Sequence, residues 1–154
     1  MIQALHNNQI DIIATDHAPH TLEEKQVDYN RAPAGLPLVE HALLSLLDHV
    51  KHKRLSLEKV VEKIAHNPAF RYGVNQRGYI REGYYADLVL VDLNQTTDVI
   101  HSNTRYHCGW TPFHGHQFSS YIKSTWVNGE QVFDGQYIID VSSPSQRLIF
   151  NRYS

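Results

Sequence analysis

Asp11-Ile12-Ile13-Ala14-Thr15-Asp16-His17-Ala18-Pro19-His20 is an apolar run that stops abruptly in a cluster of polar, titratable groups. Ile10, Ile12, Ile13 and Ala14 are apolar and mostly β-branched, and a proline-containing break follows. That pattern predicts a buried strand covered on both faces, as in a parallel sheet. In α/β folds the carboxyl ends of such strands are where loops expose catalytic side chains. Asp16 falls at that point, with His17 and His20 close behind it.

Upstream, Met1 to Asn8 reads as one or two helical turns, with Ile2 and Leu5 on one face and Asn7-Asn8 as the stop. The end of a helix leading into a strand predicts further protein before Met1. Downstream, Thr21 to Gln26 is polar and acidic, and Asp28 to Pro37 carries two prolines and a glycine, so the whole stretch reads as a long loop. Long loops in compact domains are usually functional. From Pro37 the spacing of Val39, Leu43, Leu46, Leu47 and Val50 predicts a helix, closed by the cations Lys51, Lys53 and Arg54 around His52. A second helix starts at a Ser56 N-cap, carries Leu57, Val60, Val61 and Ile64 on one face, and is expected to stop before Asn67-Pro68.

Beyond Tyr72 the pattern becomes mainly β. Ala86 to Leu93 reads as a strand, Tyr121 to Val127 as another, and Asn128-Gly129 as a hairpin turn returning through Gln131-Val132-Phe133. Asp134-Gly135 signals a further turn into a short strand over Tyr137 to Val141. The chain thus divides into an α/β part, residues 1–72, and a β part, residues 73–154, and neither reads as a complete domain.

Composition narrows the function classes. A chain of 154 residues with 42% hydrophobic and 19% charged residues can fill one modest core. A formal net charge of -2 leaves no basic footprint for nucleic acid or an anionic membrane, which favours a small-molecule partner. The apolar runs fall short of the ~20 residues of a membrane-spanning helix, and the N-terminus lacks a signal pattern. With a single cysteine, Cys108, a cytoplasmic location is expected. Eleven histidines, spread from His6 to His116, make a metal or acid/base site worth seeking.

As pure chemistry, Asp16 at a strand end suits a metal ligand or a proton shuttle, and the His20 imidazole suits a substrate carboxylate. Asp-x-x-x-His fits a turn-capping aspartate and a surface histidine equally well. His114-Gly115-His116 follows Pro112-Phe113 in a turn-rich segment rather than ending a strand, so it is a poor candidate for a metal pair. His107-Cys108 lacks the repeated spacing of a structural zinc site. Trp110, Phe113 and Phe118 are expected in the core rather than as a stacking platform.

The run Ile12-Ile13-Ala14-Thr15-Asp16-His17-Ala18-Pro19-His20-Thr21-Leu22-Glu23-Glu24-Lys25 closely resembles the signature of class I dihydroorotases at the end of barrel strand eight. Arg31-Ala32-Pro33-Ala34-Gly35 is similar to that family's substrate-contacting loop, and His66-Asn67-Pro68-Ala69 to the turn closing its last barrel helix. Gly83-Tyr84-Tyr85-Ala86-Asp87-Leu88-Val89, Trp110-Thr111-Pro112-Phe113 and Val127-Asn128-Gly129 resemble its small β domain. Dihydropyrimidinases and allantoinases share the Asp-His beginning but usually not the Ala-Pro-His-Thr-x-Glu-Glu-Lys continuation.

The resemblance implies the C-terminal part of a (β/α)₈ TIM-type barrel, followed by strands of a small β domain. It implies a zinc-dependent, reversible cyclisation of N-carbamoyl-L-aspartate to L-dihydroorotate in pyrimidine biosynthesis. Asp16 would be a zinc ligand and the proton shuttle, His20 would bind the substrate carboxylate, and Ala34 and Gly35 would present backbone to the ring amide. One or two zinc ions are expected, with most ligands outside this chain. The N-terminal remainder of the enzyme is therefore a required partner, and the chain alone is expected to be inactive. A homo-oligomer is left open. The alternatives are a dihydropyrimidinase- or allantoinase-type hydrolase, and a non-catalytic dihydroorotase-like subunit.

Overall fold

The computed structural model describes residues 1–142 and 145–151. Helix α1 (Ile2–His6) leads through Asn8, which takes a left-handed φ of 55°, into an extended stretch from Ile10 to Asp16. That stretch forms no strand ladder and is only partly buried, contrary to the expectation of a strand covered on both faces. A strand acquires its regular bonding and its burial from neighbours, and no neighbouring strand lies beside it among the described residues. It is held instead by Ile13 N–H donating to Lys63 O at 3.1 Å and by the Asn67 amide donating to Asp11 O at 2.7 Å.

The acceptor at Lys63 is available for a local reason. Helix α4 (Leu57–Val61) starts at the Ser56 cap, whose hydroxyl accepts Lys59 N–H at 3.1 Å. It widens into a π-turn over Glu62–His66 and continues as α5 (Asn67–Tyr72), so it does not stop before Pro68. Pro68 has no N–H to return to the turn beneath it. A carbonyl in that turn, Lys63 O, is taken by Ile13. Leu5, Leu55 and Val60 form the core here, with Ile10, Ile13 and Ile64 packed against it.

The Lys63 side chain is only 1% exposed, and its ammonium lies 3.0 Å from Asn8 Oδ1 and 3.0 Å from Glu62 Oε1. A buried cation needs such partners. Hydrogen bonds from Lys59 and Lys63 pull the Glu62 carboxyl down from its ordinary 4.5 to about 2. Because folding favours the ionised form, the contribution is complete above pH 4.5 and is lost as pH falls towards about 2. Acid titration should show Glu62→Gln flattening the fall in stability across that window, whereas a variant with the wild-type slope would show that these contacts are not formed.

After a single 3₁₀ turn at Val39–His41 comes α3 (Ala42–Lys51). Strands β1 (Leu88–Asp92), β4 (Tyr121–Val127) and β5 (Glu130–Phe133) make an antiparallel sheet in the order β1-β4-β5, and β2 (Thr97–Asp98) pairs with β3 (Gln117–Phe118). The β4–β5 turn has φ of 52° at Asn128 and 87° at Gly129, the pair of positive values that a type I′ hairpin demands. The short strand expected over Tyr137 to Val141 reduces to one bridge, Phe133 with Ile138, and Tyr137 and Ile138 are exposed.

Leu44, Val99 and Phe118 form a second core cluster, joining α3 to the β region. His41 is buried beside it, and desolvation holds its imidazole below the ordinary range, favouring the neutral ring. Asp48 on α3 clamps the same junction, accepting from Ser119 N–H and Oγ at 2.8 and 2.7 Å and lying 3.0 Å from His116 Nε2. No described helix is long and apolar enough to cross a membrane.

Candidate active site

Asp16 ends the extended stretch with a φ of 48°, a left-handed conformation that aspartate tolerates better than most residues. Its side chain is exposed, and among the described residues no hydrogen bond or ion pair engages its carboxylate. The carboxylate is thus presented rather than spent on capping the turn.

The next residue anchors that presentation. His17 Nδ1 accepts the backbone N–H groups of Leu38 and Val39 at 3.0 and 3.3 Å, which places the ring proton of the neutral tautomer on Nε2. A parallel bridge pairs His17 with Leu36, and Ala18 N–H donates to Leu36 O at 3.0 Å. The Ala34-Gly35 loop therefore runs alongside the segment from Asp16 to His20. Gly35, at φ +96°, packs so closely that an added Cβ would lie 2.4 Å from Ala18 Cβ. Glycine is required there on both counts.

His20 Nδ1 lies 3.4 Å from Glu24 Oε2. When protonated, the ring directs Nδ1–H at that carboxylate and leaves Nε2–H to face an anion. The expected loop over Thr21 to Gln26 is a short helix, α2 (Leu22–Lys25), started by a reciprocal capping box at its N-terminus. Glu24 N–H donates to Thr21 Oγ1 at 3.3 Å and Thr21 N–H to Glu24 Oε2 at 2.8 Å. The signal was the Thr-x-x-Glu spacing itself.

Two aromatic residues from the β part reach this loop. Trp110 Nε1–H donates to His20 O at 2.8 Å, so Trp110 braces the candidate site instead of serving only as core. The Tyr106 ring lies 5.4 Å from His17, and its hydroxyl accepts Glu40 N–H at 2.9 Å. Nothing in local sequence periodicity marks these contacts, which join residues far apart in the chain.

The other candidates are committed elsewhere. His114 stacks on His101 at 3.9 Å and accepts its N–H through Nδ1 at 3.1 Å, while His116 faces Asp48. Phe118 is core, and Cys108 is a free thiol. Among the described residues no group of three histidine, cysteine or carboxylate side chains is arranged to hold a metal. The free carboxylate of Asp16 suits a single zinc ligand, and further donors would have to come from outside the described residues. A cleft of about 740 Å³ between α3 and the sheet, lined by Leu44, Ile122 and Phe133 among others, includes none of Asp16, His20, Ala34 and Gly35. A smaller one of about 370 Å³ runs beside Ile13, Ala14 and Thr15.

The sequence profile of the amidohydrolase family matches residues 1–132. The chain is 41% identical over 138 residues to a dihydroorotase of Halobacterium salinarum, covering 90% of this chain and 32% of that protein. It is 40% identical over 111 residues to a dihydroorotase of Methanosphaera stadtmanae, covering 72% and 26%. Among solved structures it is similar to an L-hydantoinase (dihydropyrimidinase) from Arthrobacter aurescens, with a TM-score of 0.84, 32% identity, and coverage of 90% of this chain and 32% of that one. A D-hydantoinase from a Thermus species, at a TM-score of 0.83, 22% identity and coverage of 90% and 31%, shares the fold. The chain spans about a third of the length of the curated relatives it matches.

Proposed function

Because the chain belongs to the amidohydrolase family, we propose that it supplies the carboxyl-terminal third of a dihydroorotase, the enzyme that reversibly cyclises N-carbamoyl-L-aspartate to L-dihydroorotate in pyrimidine biosynthesis. The observation that carries this reading is the pairing of a presented carboxylate, Asp16, with a histidine four residues on whose Nδ1 faces Glu24. L-dihydroorotate offers a ring amide for the first and a carboxylate for the second. Simple hydantoins lack that carboxylate, which favours dihydroorotate over the dihydropyrimidinase and allantoinase substrates.

Zinc would be held by Asp16 together with donors from the remainder of the barrel, and when bound it supplies Lewis-acid polarisation and acidifies water. The Asp16 carboxylate holds the proton released as water adds to the ring carbonyl, and delivers it to the leaving ring nitrogen. In the cyclising direction it takes that proton back from the carbamoyl nitrogen. His20 fixes the substrate carboxylate through Nε2–H, and the Ala34-Gly35 backbone receives the ring amide. A cytoplasmic location accompanies this reading, supported by the free thiol of Cys108.

The test is to complete the chain with the N-terminal two-thirds of the Clostridium acetobutylicum dihydroorotase, to which it is 36% identical over 135 residues. Dihydroorotate, hydantoin and allantoin are then compared by kcat/KM, with this chain alone as control. A preference for dihydroorotate of at least about 10²-fold is expected, in line with a lost charged contact of roughly 3 kcal/mol. Preference for hydantoin or allantoin would move the assignment to those hydrolases.

A further inference from the structure

The shortest hydrogen bond around the candidate site, 2.6 Å, belongs to a residue with no role in the chemistry above. Lys25, the last residue of α2, is half-buried, and its ammonium donates to Pro33 O at 2.6 Å and Gly35 O at 3.1 Å. Among the described residues Lys25 forms no ion pair, so its charge is directed at two neutral carbonyls, a charge-assisted use that fixes their positions. The two carbonyls flank Ala34. One ammonium between them sets the curvature of Pro33–Gly35 at the point where Gly35 needs its φ of +96° and lies against Ala18.

The same turn of helix acts on the other side of the site, where Glu24, the neighbouring residue of α2, approaches His20 Nδ1 at 3.4 Å. A single helical turn therefore carries Glu24 towards the residue assigned to the substrate carboxylate and Lys25 towards the backbone assigned to the ring amide. We propose that Lys25 is a positioning residue that holds the Ala34-Gly35 backbone at a fixed separation from His20, and so matches the site to the distance between the carboxylate and the amide of its substrate. This inference rests on the functional reading above for its substrate, and on Lys25 geometry alone for its mechanism.

The experiment uses the completed enzyme with Lys25→Met, which keeps the aliphatic stem and removes the donors, and Lys25→Arg, which keeps the charge. Amide hydrogen exchange over residues 32–36 is measured beside KM, kcat and zinc content. Lys25→Met should raise KM for dihydroorotate by about tenfold, with kcat within about threefold and zinc content unchanged. Exchange over residues 32–36 should quicken by a similar factor, and Lys25→Arg should recover part of both. Unchanged exchange in Lys25→Met, or a loss of kcat at constant KM, overturns the proposal. Should Lys25→Met fail to fold, Lys25→Arg is decisive. Its bulkier fork cannot reproduce both bonds fully, so KM and exchange should rise by a few-fold, and wild-type values of both overturn the proposal. A completed wild-type enzyme that does not turn over dihydroorotate refutes the functional reading, while the exchange data still decide whether Lys25 holds the loop.

Discussion

In the completed enzyme, Asp16→Asn should lower kcat for dihydroorotate by about 10³-fold or more, combining the loss of a proton carrier with the weakening of a metal ligand. Asparagine is the informative replacement, because it tolerates the left-handed φ of 48° at this position almost as well as aspartate does. The Asp16 side chain is exposed and engaged by no described partner, so the fold has no stake in its charge. Thermal stability of the metal-free protein should stay within a few degrees of wild type, because asparagine keeps the shape and the backbone preference of aspartate. Zinc content measured beside kcat separates the two roles: a variant that keeps its metal and still loses activity assigns the proton transfer to Asp16. Activity within threefold of wild type would remove Asp16 from the chemistry and raise the reading of a non-catalytic subunit.

Phe118→Ala should produce the largest loss of stability, about 3–5 kcal/mol in urea unfolding, the usual range for emptying a buried aromatic site. Phe118 is 1% exposed and clusters with Leu44 of α3 and with Val99. Its ring lies 5.8 Å from that of His41, 5.1 Å from Phe113 and 4.5 Å from His116. These partners come from both parts of the chain, so the cavity cannot close by a local shift of one element. Burying the neutral His41 ring also depends on this cover. A loss below 1 kcal/mol would mean that the two parts are not packed through this cluster.

Local signals in the sequence were sound where one residue type answers one local demand. Ser56 caps α4, and Asn128-Gly129 forms the hairpin, because the hydroxyl acceptor and the two positive φ values are properties of those residues themselves. Ile10 to Ala14 is extended, as its β-branched apolar residues predict, but a ladder and full burial need neighbours that the described residues do not supply. Asn67-Pro68 misled about where a helix ends. A proline usually ends a helix, yet the π-turn before it absorbs the missing N–H and passes a carbonyl to Ile13. Within the site, Asp16 and His20 stood out by residue type and place. Lys25 and Trp110 did not, since their roles lie in what they donate to backbone carbonyls 8 and 90 residues away.

The extended stretch from Ile10 to Asp16 has a practical side for anyone handling the polypeptide. Among the described residues most of its peptide groups have no partner, and its isoleucines are only partly covered. An open, β-branched ribbon of this kind is a template onto which the same ribbon of another molecule can add. Residues 1–154 produced apart from the remainder of the barrel are expected to self-associate through this ribbon, seen as sedimenting material whose amount rises with protein concentration. Their yield would then be governed by concentration and by how soon the ribbon is covered, more than by temperature.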